Sequence, residues 1–473
     1  LAAKKVKYVN IIDEEAIKKA LGNNKNPSGK KVGGILKKAL KLKGLSLDEA
    51  ACLLNMDSSN TTLMKKLFET AFAVKKAIYG NRLVLFAPLY VSNHCSNDCL
   101  YCGFRKSNNK MKRKILTDDE IKLEVEALER QGHKRLLMLM GEDFERYSFD
   151  DFLRALKIAY SVKTKPGGEI RRINVEIPPL DVGDFKRLKE AGIGTYTMFQ
   201  ETYHKETYRK MHPSGPKSDY QWRLKAMDRA QKAGIDDVGI GVLFGLYDYK
   251  FEVLALLMHA MYLDRRFNTG PHTISVPRIE PAQNAPIASN PPCPVSDRNF
   301  KKLVAVLRCS VPYTGIILST RESSQMRNEL FHLGVSQISA GSRTNPGGYC
   351  EPEASLEDVG QFALSDTRPT PVVIKDLMEQ GFIPSFCTAC YRRGRTGEDF
   401  MELAKPGLIQ NFCQPNALLT LQEYLEDYAD VEAREIGCKL VKKETVWIKN
   451  REIRNEFFRK LEGIRNGERD LYF

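Results

Sequence analysis

Cys95, Cys99 and Cys102 form a C-x3-C-x2-C loop directly after the apolar run at residues 83–90. Three thiolates at this spacing can hold three corners of one cubane iron-sulfur cluster, whereas a saturated 4Fe-4S site needs a fourth ligand. A cluster left with one bare iron can bind a small molecule there, which turns an electron carrier into a reaction site. The same cysteines also describe three quarters of a structural zinc site completed by His94, or disulfide partners. A second group, Cys387, Cys390 and Cys413, has the form C-x2-C-x22-C and again offers three thiolates. Its C-x2-C admits zinc and redox readings, and Cys438 is a further cysteine that could complete it. Cys52, Cys293, Cys309 and Cys350 are isolated, as small buried hydrophobes often are.

The elements that must position these groups alternate. From residue 82 short apolar strands are predicted near 83–90, 135–140, 172–177, 195–199, 237–244, 272–276, 315–319 and 336–339, with amphipathic helices between them. One helix is entered by the capping box Thr117-x-x-Glu120. Eight alternations predict an α/β fold built on a complete (βα)8 TIM-type barrel, with active groups on loops after the strands' C-terminal ends. Residues 1–80 read as an N-terminal helical extension, 81–370 as the barrel and 371–473 as a mostly helical C-terminal domain carrying the second cysteine group.

Those strand ends carry polar residues that a packed core does not select. Gly141, Glu142 and Asp143 follow strand two, Asn174 and Glu176 lie on strand three, and Gln200 and Glu201 end strand four. Arg278 and Glu280 follow strand six, and Ser319, Thr320, Arg321 and Glu322 strand seven. Singly these are helix caps or surface groups, but together they converge on one barrel mouth.

Composition narrows the classes. With 42% hydrophobic and 28% charged residues in 473, the chain is not disordered, and no apolar run approaches the ~20 residues that cross a bilayer. Residues 1–5 open no secretory segment, and eleven cysteines in a chain of this length argue for thiols and metal ligands, so a cytoplasmic location is expected. The net charge of +14 favours acidic partners, but the basic residues are scattered among acids. An acidic reductant of the ferredoxin or flavodoxin kind is expected; nucleic acid and membrane are not.

The 3-then-2 spacing, with the aromatic Tyr101 before the last cysteine, resembles the signature of the radical S-adenosylmethionine (SAM) superfamily. The resemblance implies a 4Fe-4S cluster on Cys95, Cys99 and Cys102, with SAM's amino and carboxylate groups on the open iron and Tyr101 near its adenine. It carries Gly141 and Glu142 onto the stretch behind the methionyl amine. Asn174, Glu176, Gln200 and Glu201 fall on positions for ribose and the methionyl end, Gly239 to Gly245 on the adenine support, and Arg223 on the SAM carboxylate.

Both cysteine groups together, with Gln200-Glu-Thr-Tyr203, Gly270-Pro-His-Thr-Ile-Ser-Val-Pro277 and Leu318-Ser-Thr-Arg-Glu322, resemble the tyrosine-cleaving maturases of FeFe-hydrogenase over essentially the whole chain. That family implies cleavage of the Cα–Cβ bond of L-tyrosine to p-cresol and dehydroglycine. It further implies conversion of dehydroglycine to CO and cyanide at a second iron-sulfur cluster, giving an iron synthon for other hydrogenase maturation proteins. The second cluster, on Cys387, Cys390 and Cys413, would carry an extra labile iron held by His272, with free cysteine as a bridging ligand. Arg321 and Ser319 are expected at the substrate carboxylate, since only arginine offers a planar two-point fork. Ser342 and Arg343 are expected to bind the carboxylate or an intermediate. The alternatives are an aromatic amino-acid lyase of thiazole or indolic-acid biosynthesis, against which the second cysteine group argues, and a non-catalytic iron-sulfur carrier, against which the polar barrel mouth argues.

Overall fold

The computed structural model describes residues 10–350 and 360–473. Residues 1–5, read above for a leader, lie outside the described residues. Eight strands form a closed parallel barrel: β1 (Arg82–Ser92), β2 (Arg135–Met140), β3 (Arg172–Glu176), β4 (Tyr196–Glu201), β5 (Val238–Val242), β6 (Thr273–Ser275), β7 (Gly315–Leu318) and β8 (Gln337–Ser339). Neighbours pair in chain order, and β8 closes the ring on β1 through Val84–Gln337 to Phe86–Ser339. The expected (βα)8 fold is therefore present.

The strands are short and nearly continuous in apolar residues because both faces are covered, the outer one by helices. The helix Asp118–Arg130 starts with the expected capping box, Thr117 and Glu120 each satisfying the other's backbone N–H. The main core lies between strands and helices, with Val125, Phe152, Phe185 and Leu254 fully buried.

Four N-terminal helices, Glu14–Asn23, Gly29–Ala39, Leu47–Asn55 and Thr61–Tyr79, pack on the barrel's outer helices. The join is polar as well as apolar: Lys302, buried in the helix Asp297–Ser310, donates to Met56 O and Ser58 Oγ. At the other end of the chain a ninth strand appears, β9 (Ile383–Ser385). It pairs in parallel with Arg82–Val84 of β1, below the stretch in which β1 meets β2. The segment carrying the second cysteines is thereby built into the barrel sheet. Helices Val431–Glu444 and Arg451–Arg465 then each pack on Gln410–Asp427. Among the described residues no helix is long and apolar enough to cross a membrane.

Candidate functional site: two cysteine trios at opposite ends of one barrel

Side chains alternate across a strand, so inward-pointing positions form layers inside the barrel. The upper layers, towards the strands' C-terminal ends, border a cavity of about 820 Å³, open-solvent space included, lined by residues including Phe86, Tyr90, Asn174, Glu176, Arg321 and Ser342. The lower layers border a second cavity of about 550 Å³ on the same measure, lined by residues including Arg82, Arg135, Arg172, His272 and all three cysteines of the second group.

The first cysteine loop sits over the upper end. Ser96 donates to Glu142 O through its backbone (3.1 Å) and hydroxyl (2.7 Å), and Leu100 N donates to Met211 O (3.1 Å). Gly141 has a packing reason to be glycine, because a Cβ there would lie 2.1 Å from His94 O. Asn97 Nδ2 donates to Cys95 Sγ (3.7 Å) and Glu142 Oε2 (2.9 Å), while its Oδ1 accepts from Lys217 N (2.8 Å). Gln361 Nε2 reaches Cys102 Sγ at 3.6 Å. Tyr101 is fixed from beneath: His212 Nδ1 faces Tyr208 O (2.7 Å) and must carry the proton there, so Nε2 accepts from the Tyr101 hydroxyl (2.8 Å).

Around this loop lies a charge network, with Arg223 and Glu201 buried and Glu142 and Lys217 partly so. Arg223 Nη1 pairs with Glu142 Oε1 at 2.7 Å and Lys217 Nζ with Glu201 Oε1 at 2.6 Å. Burial alone would raise both carboxyls, but for Glu142 Arg223 and then Lys217, and for Glu201 Lys217 and then Arg223, outweigh it and hold them below their ordinary value. Glu201 sits in the left-handed region (φ 68°) where the register between β4 and β5 shifts, a bulge that re-aims its side chain. Glu176 lacks a close cation. Burial and then Glu201 push it up to about 7. Burial and then Glu142 push Cys95 up to about 11, and burial also raises Cys99 and Cys102, so a cationic iron centre is what would hold them as thiolates.

Of the expected substrate residues, Arg321, Ser319 and Ser342 line the upper cavity. The Arg321 guanidinium lies 3.2 Å from the centroid of Phe362, and Ser342 Oγ is buried without a partner. Arg343 is not among the lining residues; its Nη1 donates to Ser342 O (3.2 Å). Asn174 lines the cavity, its Oδ1 already accepting from Arg172 Nε (2.8 Å) and Thr195 N (3.0 Å). Gln200 points away, donating to Tyr220 O (3.4 Å).

At the lower end, Cys387 lies two residues past β9, Cys390 is the second residue of the helical turn Ala389–Arg392, and Cys413 lies in the first turn of Gln410–Asp427. The neighbouring Cys413, with Arg395 and Arg82, holds the Cys390 thiol below its ordinary value. His272 precedes β6, its N–H donating to Val238 O (2.8 Å), and its ring packs on Phe400 with centroids 4.4 Å apart. Burial lowers His272 to about 4, so the imidazole is neutral and competent to bind a metal. Thr388 Oγ1, Arg82 Nε and Arg135 Nε are buried here without partners.

Both donor sets fit iron-sulfur clusters, three thiols each, with a neutral imidazole added at the lower end. All the cysteines are free thiols. Among the described residues no three His, Cys, Asp or Glu side chains gather closely enough to hold a single metal ion. Cys438 belongs to the helix Val431–Glu444 and does not line the lower cavity. Lys217, Asn97 and His212 carry no motif in the sequence. Arg82, Arg135 and Arg172 do leave a trace, since each opens one of the first three barrel strands.

Residues 89–258 match the Radical SAM superfamily and residues 275–383 the Biotin and Thiamin Synthesis associated domain. A 2-iminoacetate synthase of Escherichia coli is 32% identical over 355 residues, 75% of this chain and 90% of that protein. A crystal structure of HydG, a maturase of the FeFe-hydrogenase, is 51% identical with a TM-score of 0.94 and covers 98% of this chain and 100% of its own. HydG from Carboxydothermus hydrogenoformans is 42% identical with a TM-score of 0.80, covering 94% of this chain and 96% of its own. The chain belongs to the radical SAM superfamily and, within it, to the HydG maturase family.

Proposed function

We propose that this protein is a radical SAM carbon–carbon lyase that cleaves L-tyrosine to p-cresol and dehydroglycine at the upper cavity, and makes CO and cyanide from dehydroglycine at the lower one for FeFe-hydrogenase maturation. The observation that carries this reading is the pair of cysteine trios at opposite ends of one barrel interior, the second lining the lower cavity and the first packed, through Cys95 and Cys102, against the cluster that holds Tyr90 and Leu139 of the upper one. The atoms balance once the hydrogen atom lost to 5'-deoxyadenosine is replaced by an electron from the reductant and a proton: p-cresol and dehydroglycine together then make up tyrosine, and dehydroglycine makes up CO, hydrogen cyanide and water.

Cys95, Cys99 and Cys102 would hold a 4Fe-4S cluster, with SAM as its further ligand. The cluster and SAM, when bound, supply a 5'-deoxyadenosyl radical that takes a hydrogen atom from the tyrosine amino group. Glu142, braced by Arg223 and Asn97, receives the methionyl ammonium, and Glu201, braced by Lys217, lies beside it. Asn174 and Glu176, which line the cavity, take the ribose side, and Tyr101 the adenine. Arg321 takes the tyrosine carboxylate with its two-pronged donor, next to Ser319 and Ser342. Phe86, Tyr90, Leu137, Leu139 and Phe199 wall the cavity and exclude water, which limits side reactions of a radical.

Cys387, Cys390 and Cys413 would hold the second cluster and His272 the labile iron, with free cysteine as its further ligand. Arg82, Arg135 and Arg172 make the lower cavity attractive to anionic fragments. The chain's net charge of +14 suits a ferredoxin- or flavodoxin-type reductant.

The test is anaerobic reconstitution with SAM, tyrosine and a reductant, assaying p-cresol, cyanide and CO together. All three are expected. Cresol without the diatomic products contradicts the maturase reading, and absence of cresol contradicts tyrosine cleavage itself.

A further inference from the structure

Two buried polar atoms in the lower half of the barrel face each other without partners: Nδ1 of His272 and Oδ1 of Asp237, 3.5 Å apart. A buried donor and acceptor left unmade each carry the full desolvation penalty, so a small ring rotation that joins them is favoured. The barrel ladder places them side by side. Asp237 immediately precedes β5 and His272 immediately precedes β6, and His272 N donates to Val238 O (2.8 Å). The other carboxylate oxygen, Oδ2, accepts from the Tyr391 hydroxyl and lies 3.5 Å from Arg172 Nη2. Tyr391 directly follows Cys390. One carboxylate therefore touches both the histidine and the loop that bears the second cysteines.

We infer that Asp237 is a positioning residue for His272, accepting Nδ1–H at Oδ1 and so fixing the tautomer that presents unprotonated Nε2 to a ferrous ion in the lower cavity. The inference rests on the reading of His272 as the iron ligand. An imidazole whose Nδ1 is committed to a carboxylate has only Nε2 left as an electron-pair donor, with its ring plane set by the hydrogen bond. Through Tyr391 the same carboxylate ties that orientation to the position of the cysteine loop. Phe400 packs against the ring.

The test is titration of the cluster-reconstituted protein with ferrous iron alone, with anaerobic chelator competition for affinity and the imidazole-nitrogen hyperfine coupling for ligation. Asp237→Ala is expected to weaken this iron by about 10- to 100-fold and to diminish the coupling, while the cluster absorbance stays. Asp237→Asn keeps an acceptor and is expected to lose less. Tyr391→Phe, which frees the far end of the carboxylate, is expected to fall between wild type and Asp237→Ala. If His272→Ala loses the iron and Asp237→Ala binds it like wild type, the inference is overturned and the reading of His272 stands. If His272→Ala itself binds like wild type, the reading of His272 falls and takes the inference with it. Should Asp237→Ala not fold, Asp237→Asn and Tyr391→Phe decide: a graded loss supports the inference, and wild-type affinity in both overturns it.

Discussion

At the upper end of the barrel the cysteine loop shares its surroundings with Glu142, Glu201 and Glu176, the first two answered by Arg223 and Lys217. The lower cavity is lined by Arg82, Arg135 and Arg172, and its lining includes no carboxylate. The same donor set thus stands in two electrostatic settings. Alternating acids and bases suit a ligand that carries both signs on one end, as an amino acid's ammonium and carboxylate do. An excess of guanidinium suits thiolates and small anions. The first trio also comes from a single loop, whereas the second draws Cys413 from a helix that follows the Cys387–Cys390 turn in sequence. The upper trio is thus set by local chain geometry, and the lower one only when the C-terminal segment docks on β1.

The largest expected effect tests the upper network. Glu142→Ala leaves Arg223 a buried charge without its nearest partner, which costs about 3–5 kcal/mol of stability. A denaturant midpoint lowered accordingly, together with weakened SAM binding, is expected; an unchanged midpoint would mean that solvent already screens the pair. Arg321→Ala comes next. Losing a charge-assisted fork is worth about 1.5–3 kcal/mol, so KM for the amino-acid substrate should rise about 10- to 100-fold, and Arg321→Lys should restore only part of it. An unchanged KM would move the substrate carboxylate elsewhere in the cavity.

The smallest effect concerns pH. Glu176 is raised from 4.5 to about 7 in the folded protein by burial and then Glu201. Below about pH 4.5 folded and unfolded chains both hold this proton. As pH rises towards 7 the unfolded chain releases it first, so the folded state loses relative stability, and above about 7 the loss is constant. Without SAM, the melting-temperature advantage of Glu176→Gln over wild type should therefore widen from about pH 5 to 7 and then level off. A gap independent of pH would show that Glu176 titrates normally.

The barrel and the first site were legible because they rest on local signals. Strands such as Arg135–Met140 alternate with capped helices such as Asp118–Arg130, and C-x3-C-x2-C lies in one loop. β9 was not legible: three residues, one of them Pro384, show no periodicity, and their pairing with Arg82–Val84 is a contact across some three hundred positions. The arginines of the lower cavity were missed for another reason. Function in these barrels is looked for at the strands' C-terminal ends, and Arg82, Arg135 and Arg172 open their strands, where a charge reads as a solvated end. Lys217 and Asn97 gain meaning only through partners distant in sequence, Glu201 for one and Glu142 for the other. Asp237 likewise shows nothing until His272 stands beside it.

The division of labour between the two ends is tested most directly by comparing Cys99→Ala with the Cys387→Ala/Cys390→Ala double variant, both reconstituted anaerobically with SAM, tyrosine and reductant. Cys99→Ala should abolish SAM cleavage and with it every product. The double variant should still cleave SAM and release p-cresol while making no CO. Loss of SAM cleavage in the double variant, or CO formation that survives in it, would contradict the assignment of cutting to the upper cavity and of CO formation to the lower.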